Sequence, residues 1–295
     1  MFKYAVSNWI YGDEPFENTC RRLHEGGCNG IELVGEPDRY DPEKVKQLTS
    51  QHGLEVTSVL SWCIWPMENR DLAHARPDIR QKAIKYICNN IDLAAAVNAP
   101  AVIVIPTPSG RAEPHGNHDH AAAWQEAAAR EWDYAVEAVK ETARYAATKD
   151  ITIAVEPINR FETFLVNSAA QGIKFINDVA EPNVKLHLDT FHMNIEESST
   201  AEAINEASNY LVSMHLSDNN RRAIGKGQFD FGKLLLSLKK IRFQGPLILE
   251  PVPPHPNPFV ANKLPDFQSY WNSDVKESIR FLHNLETKLE GNRQH

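Results

Sequence analysis

The sequence predicts a closed (β/α)8 barrel, and three observations carry that prediction. Eight short apolar or β-branched runs recur along the chain, with helical stretches between them. The runs are close to continuously apolar rather than alternating, as strands are when a parallel sheet is covered on both faces. Eight such units in 295 residues suit a single closed barrel, which typically takes about 250 residues.

The first run, Tyr4–Asn8, follows Met1-Phe2-Lys3 directly, so no signal peptide is expected. Gly30–Gly35 and Val56–Ser61 are the second and third strands. The stretch Ile79–Val97 has a 3.6-residue apolar period and predicts a helix before the fourth strand, Ala101–Pro106. Thr107–His120 then reads TPSGRAEPHGNHDH, which is turn and loop chemistry. A second long helical pattern covers Ala121–Ala147. The remaining strands are Ile151–Pro157, Val184–Asp189, Leu211–Ser217 and Pro246–Pro251, and a proline-rich connection, Val252–Tyr270, follows the last. Both long connections leave from strand C-termini, the face where barrel active sites form, and are expected to wall or cover the pocket and set substrate choice. No composition break or Gly/Ser linker divides the chain, so residues 1–295 are expected to be a single (β/α)8-barrel domain.

Composition excludes some function classes. The chain carries 31 basic against 39 acidic residues, a net charge of −8, whereas a nucleic-acid binder presents a basic face to phosphates. A small neutral substrate fits better than a polyanion. There is no run of 18 apolar residues to span a membrane. The four cysteines (Cys20, Cys28, Cys63, Cys88) show no C-x-x-C pairing, which suits reduced thiols and a cytoplasmic location. A homo-oligomer is compatible with this composition.

The last four strands all finish in a residue able to bind metal: Ala154-Val155-Glu156-Pro157, His187-Leu188-Asp189, Met214-His215-Leu216 and Leu249-Glu250-Pro251. A buried carboxylate at the end of an apolar strand is costly unless paired or metal-bound. Four such residues on consecutive strands would converge at the mouth of a barrel. Glu156, Asp189, His215 and Glu250 are therefore the expected ligands of one divalent ion. Three carboxylates and one imidazole with no thiolate favour Mn2+, with Mg2+ or Co2+ next and Zn2+ behind them. The plainer reading is four side chains satisfied by local hydrogen bonds. His187 should point to the same side of the barrel as Asp189, as a buried, satisfied histidine rather than a fifth ligand.

At these residues the chain resembles the ketose 3-epimerases (D-tagatose and D-psicose 3-epimerases) of the xylose-isomerase-like superfamily. The likeness lies in Val155-Glu156-Pro157-Ile158-Asn159-Arg160-Phe161-Glu162 and in Leu188-Asp189-Thr190-Phe191-His192-Met193-Asn194-Ile195-Glu196-Glu197. It continues in His215, Asn220-Arg221, Gly225-Lys226-Gly227 and Leu249-Glu250-Pro251. The resemblance implies the same four metal ligands, with Glu162, His192 and Arg221 touching the first oxygens of a ketose. It also implies C3 epimerisation, an isomerase activity in carbohydrate metabolism. One carboxylate removes the C3 proton to give a cis-enediolate and a second returns a proton to the opposite face, with Glu156 and Glu250 as the pair. The three loop residues have plainer readings: Glu162 ion-paired with Arg160, Arg221 with an acid such as Asp218, and His192 as a helix cap.

Around the fourth strand the chain departs from that family. It has Ile105-Pro106-Thr107-Pro108-Ser109-Gly110-Arg111 where the family has an aromatic-rich substrate segment, and His115, His118 and His120 match nothing in it. A base among these histidines would open a related reaction, loss of an aglycone by β-elimination from a 3-keto glycoside; sugar isomerisation is a further variant. Two readings from other classes carry less support. An endonuclease IV-like nuclease needs histidines on strands two to four, but here those strands end in Glu32, Ser61-Trp62 and Pro106. A non-catalytic sugar- or metal-binding protein would share the fold without the chemistry.

Overall fold

The computed structural model describes residues 1–116, 118–261 and 263–291. Asn117, in the first long connection, and Asn262, in the second, lie outside the described residues. Eight parallel strands close in sequence order into a barrel: β1 (Lys3–Ser7), β2 (Gly30–Val34), β3 (Glu55–Leu60), β4 (Ala101–Val104), β5 (Thr152–Val155), β6 (Val184–Asp189), β7 (Leu211–Leu216) and β8 (Pro246–Leu249). Closure is through β8, whose Leu247 pairs with Tyr4 of β1 and with Met214 of β7. Each predicted run contains a strand, and the differences are a residue or two at the ends, where pairing stops before the loop turns away.

Helices cover the outside. They are α1 (Phe16–Gly26), α2 (Pro42–Gln51), α3 (Pro77–Ala96), α4 (Ala121–Ala147), α5 (Ala169–Val179), α6 (Thr190–Glu196), α7 (Thr200–Glu206), α8 (Phe231–Lys240), α9 (Pro258–Ala261) and α10 (Gln268–Gly291). Local chemistry fixes their starts. Asp41 caps α2, and Ser168 with Gln171 forms a reciprocal capping box on α5. The strands are buried on both faces, β2 and β4 along their whole length, which explains their near-continuous apolar spelling. Among the described residues no helix is long and apolar enough to cross a membrane.

The proline-rich connection after β8 is not featureless, since it holds α9 and a 3-10 turn at Pro265–Phe267 before α10. Among its described residues Thr107–His120 has no helix of its own. It is pinned by single bridges from Ser109 to Ile64 and from Arg111 to Thr163.

Candidate active site

Barrel register brings the four predicted ligands to one end. Glu156 follows β5 directly and its N–H donates to Val104 of β4 at 3.0 Å. Glu250 follows β8 and donates in the same way to Leu216 of β7 at 2.9 Å. Asp189 ends β6 and also caps α6, Oδ1 accepting the Phe191 N–H at 2.7 Å, so its Oδ2 is left to face the mouth. His215 stands in β7, and its Nδ1 lies 3.4 Å from Glu156 Oε1 and 3.4 Å from Glu250 Oε2. All four side chains are buried.

Three overlapping groups of side chains bring one donor atom each within 4.8 Å: Glu156–His187–His215, Glu32–His215–Glu250 and Glu156–Asp189–His192. The four predicted ligands are spread across these groups, and no single group among the described residues holds them all. Two features suit a cation. His215 Nδ1 is buried with no hydrogen-bond partner, and the carboxylates of Glu32, Glu156, Asp189 and Glu250 outnumber the cationic groups close to them. Proton affinities follow that imbalance. Burial pushes the Glu156 carboxyl up to about 7, against the pull of His215. Glu250 is also raised by burial, although His215 and Arg221 oppose it. Burial disfavours the His215 imidazolium, yet Glu250, Glu32 and Glu156 outweigh that and raise its pKa well above the ordinary value. Asp189 is held low despite burial, chiefly by Arg221.

The three loop residues lie in the same mouth, and none follows its plainer reading. Glu162 accepts from Ser109 Oγ at 2.6 Å and from Asn159 Nδ2 at 2.8 Å, while Arg160 pairs with Glu196 instead. His192 lies within α6 and caps nothing; its Nδ1 accepts the Asn159 N–H at 3.2 Å, which directs Nε2 toward Asp189 Oδ2, 3.8 Å away. Arg221 bridges Asp189 and Glu250 and lies over the Phe191 ring rather than pairing with Asp218. Asp218 shapes the loop by accepting the Gly225 and Phe229 N–H groups. A Cβ at Gly227 would fall within 2.3 Å of its Oδ1, which accounts for the glycine there.

Two residues of the site went unassigned in the sequence. Glu32, wholly buried in β2, accepts from His215 Nε2 at 2.9 Å and from Ser58 Oγ at 2.6 Å. A charged residue inside the run Gly-Ile-Glu-Leu-Val was the available signal. Trp9 donates its indole N–H to Glu250 Oε1 at 2.5 Å; it lies just past the first strand and carried no motif. His187 is buried as expected but only half satisfied, with Nδ1 on Ser213 at 2.7 Å and no partner for Nε2.

The loop histidines turn away from the mouth. His115 packs on His74 and its Nδ1 pairs with Glu131 of α4 at 3.0 Å, beside a buried Arg111 that reaches both Glu131 and Asp71. His118 Nε2 meets the Pro114 carbonyl, and His120 caps α4. The mouth itself is a small inner cavity of about 60 Å3 that leads into an outer one of about 560 Å3. A larger depression of about 940 Å3 between Lys3, Glu55 and Pro246 lies at the opposite end of the barrel and contains none of these groups.

Residues 20–285 match the family described as "Xylose isomerase-like TIM barrel". A D-psicose 3-epimerase of Agrobacterium fabrum is 43% identical over 121 residues, which are 40% of this chain and 42% of that one. The chain spans less than half the length of the D-psicose and L-ribulose 3-epimerases that it matches. A 3-dehydro-D-guloside 4-epimerase of Escherichia coli is 26% identical over 84% of this chain and 91% of its own. Among solved structures, a D-psicose 3-epimerase with D-tagatose from Clostridium cellulolyticum superposes with a TM-score of 0.83 at 22% identity, over 96% of this chain and 99% of that one.

Proposed function

This chain belongs to the xylose isomerase-like TIM-barrel family, and we propose that it is a metal-dependent epimerase inverting C3 of a ketose, with Glu156 and Glu250 as its acid–base pair. The observation that carries the reading is the approach of both buried carboxylates to 3.4 Å from the partnerless Nδ1 of His215. Glu156, Asp189, His215 and Glu250 would hold one divalent ion, Mn2+ before Mg2+ or Co2+, as hard oxygen donors with a single imidazole favour. When bound, such an ion supplies Lewis-acid polarisation of a ketone and its neighbouring hydroxyl, which acidifies the adjacent C–H.

The protein's own groups do the rest. Glu156 and Glu250 come from strands three positions apart around the barrel, so one takes the C3 proton while the other returns a proton to the opposite face. Glu32 fixes His215 by holding its Nε2. Trp9 fixes Glu250 through its indole N–H. Arg221 and His192 orient the substrate oxygens and face the charge of the enediolate. Glu162, fixed by Ser109 and Asn159, accepts a substrate hydroxyl. The same proton abstraction beside a ring ketone would serve a 3-keto glycoside, by C4 epimerisation or by β-elimination. The long match to the 3-dehydro-D-guloside 4-epimerase supports that second reading.

Incubating Mn2+-loaded protein in D2O with free ketoses, 3-keto glycosides and sugar phosphates tests both. Deuterium entering at C3 of a ketose supports the first reading, and deuterium beside a ring ketone the second. No exchange in any of them would exclude both.

A further inference from the structure

The candidate site opens into an outer chamber that a simple ketose does not fill. The inner cavity, about 60 Å3, contains Glu156, His215 and Glu250. That is room for about two waters, so only the reacting carbons enter it. The outer chamber is about 560 Å3, well within the range of pockets that take a drug-sized ligand. Even at water's liquid share of about 30 Å3 per non-hydrogen atom, a free hexose needs roughly 360 Å3. A large part of the outer space is left over.

Much of that space is apolar. Its apolar lining is Trp65, Phe191, Phe259 and the pair Pro253-Pro254, of which Phe259 also borders the inner cavity. Trp65 is 41% exposed. Titratable lining groups among the described residues are Glu162, His192, Arg221 and His255. The one arginine already bridges Asp189 and Glu250, which leaves no second strong cation for a phosphate or carboxylate.

This wall is fixed to the reacting centre. The Trp65 N–H donates to Ser109 at 2.8 Å, and the Ser109 N–H donates to Cys63 at 2.9 Å. The Gly110 N–H donates to the Glu162 carbonyl at 2.8 Å, and Ser109 Oγ to the Glu162 carboxylate at 2.6 Å. Gly110 has φ +100°, and a Cβ there would sit 3.2 Å from Trp65 Cβ, so both the turn and the close approach require glycine. The segment that departs from the ketose 3-epimerases therefore buttresses an aromatic platform next to Glu162.

Building on the second, keto-glycoside reading above, we propose that the outer chamber is a subsite for a neutral second ring joined through oxygen to the reacting keto sugar. The substrate class is then a keto glycoside or keto disaccharide rather than a free or phosphorylated ketose. An aromatic platform binds the apolar face of a sugar or aryl ring and repels neither.

The test compares methyl and phenyl 3-keto-β-D-glucopyranoside as probes, with D-tagatose as the free ketose, on the Mn2+-loaded full chain. Calorimetry should show the phenyl probe binding about tenfold tighter than the methyl one. That preference should fall to within about twofold in Trp65→Ala and return in Trp65→Phe. Equal affinities in the parent protein, or a preference that survives both Trp65→Ala and Phe259→Ala, would overturn the subsite. Proton exchange in D2O is read on the same samples. Exchange of D-tagatose with a kcat/KM equal to that of either glycoside would overturn the substrate class. Absence of exchange in all three would overturn the epimerase reading, while the binding preference still decides the subsite.

Discussion

Glu32→Gln removes one charge from behind His215 and changes almost nothing in shape. The carboxylate is fully buried in β2, with Oε1 on the His215 Nε2–H at 2.9 Å and Oε2 on the Ser58 hydroxyl at 2.6 Å. Holding a proton on Nε2 leaves Nδ1 as the atom for a cation, and Nδ1 is the nitrogen that faces Glu156 and Glu250. An amide can accept from only one of the two donors. Turned with its NH2 toward His215, it would demand an acceptor at Nε2 and put the proton on Nδ1, where it blocks the ion. Carboxylates behind metal-bound histidines contribute about 10–100-fold in metal affinity, or about 1.4–2.8 kcal/mol. Glutamine can still accept from His215, so its loss is expected near tenfold. Glu32→Ala leaves His215 Nε2 without a partner, at about 1–3 kcal/mol of folding stability, and Ser58 Oγ with only the Thr57 hydroxyl at 3.5 Å; the loss of affinity is expected near 100-fold. Mn2+ titrated calorimetrically into chelator-stripped protein gives the affinities, and melting temperatures with and without the ion separate affinity from stability. A glutamine variant that binds Mn2+ as tightly as the parent would refute the idea that this carboxylate selects the His215 tautomer.

Four other outcomes are expected. Glu156→Gln and Glu250→Gln should each lower turnover by several orders of magnitude, and near-normal turnover at full metal occupancy would remove that residue from proton transfer. Chelation should abolish activity, Mn2+ or Co2+ should restore it, and Asp189→Asn or His215→Ala should lower the melting temperature far more with the ion than without. Since burial pushes the Glu156 carboxyl up to about 7 and the carboxylates around His215 raise its pKa well above normal despite burial, binding must displace protons. Affinity should then fall as pH drops from about 8 to about 6, and a pH-independent affinity would argue against ligation by these groups. Glu131→Gln should cost about 3 kcal/mol near neutrality, because it leaves the buried Arg111 with Asp71 as its one carboxylate and takes the carboxylate from His115. Burial opposes the Glu131 carboxylate but His115 and Arg111 hold its pKa below the ordinary value. Its contribution is thus present above the unfolded pKa and lost as pH falls through the lower folded one, so parent and variant melting points should converge in acid. Parallel curves would contradict this.

The legibility of the site in the sequence followed how local its signals are. Strands buried on both faces spell themselves as apolar runs, so β1–β8 and the strand-end residues Glu156, Asp189 and Glu250 could be read directly. Glu162, His192 and Arg221 were legible only as spacings within a resemblance. Their true partners, Ser109, Asn159 and the Asp189–Glu250 pair, come from other loops and could not be inferred from neighbours in sequence. Glu32 and Trp9 were missed for the same reason. Glu32 lies 183 positions from the histidine it holds, and Trp9 lies 241 positions from Glu250.

The loop histidines, whose role the sequence leaves open, are a local cluster without a common site. Spaced two or three residues apart after the fourth strand, they serve three separate structural ends. The residue in that segment with the largest physical consequence is Arg111, whose charge is buried between Asp71 and Glu131. A buried guanidinium is tolerated only when its partners are fixed, and fixing them ties the loop to α4 and to the connection after β3. The same loop presents Ser109 and Gly110 to the outer chamber a residue or two upstream. A wall anchored by a buried ion cluster is preorganised on the side of Ser109 and Gly110. Selection among substrates in this barrel then rests on a shape already present before binding, which is why it is expected to show in affinity ratios between probes rather than in a slow closing step.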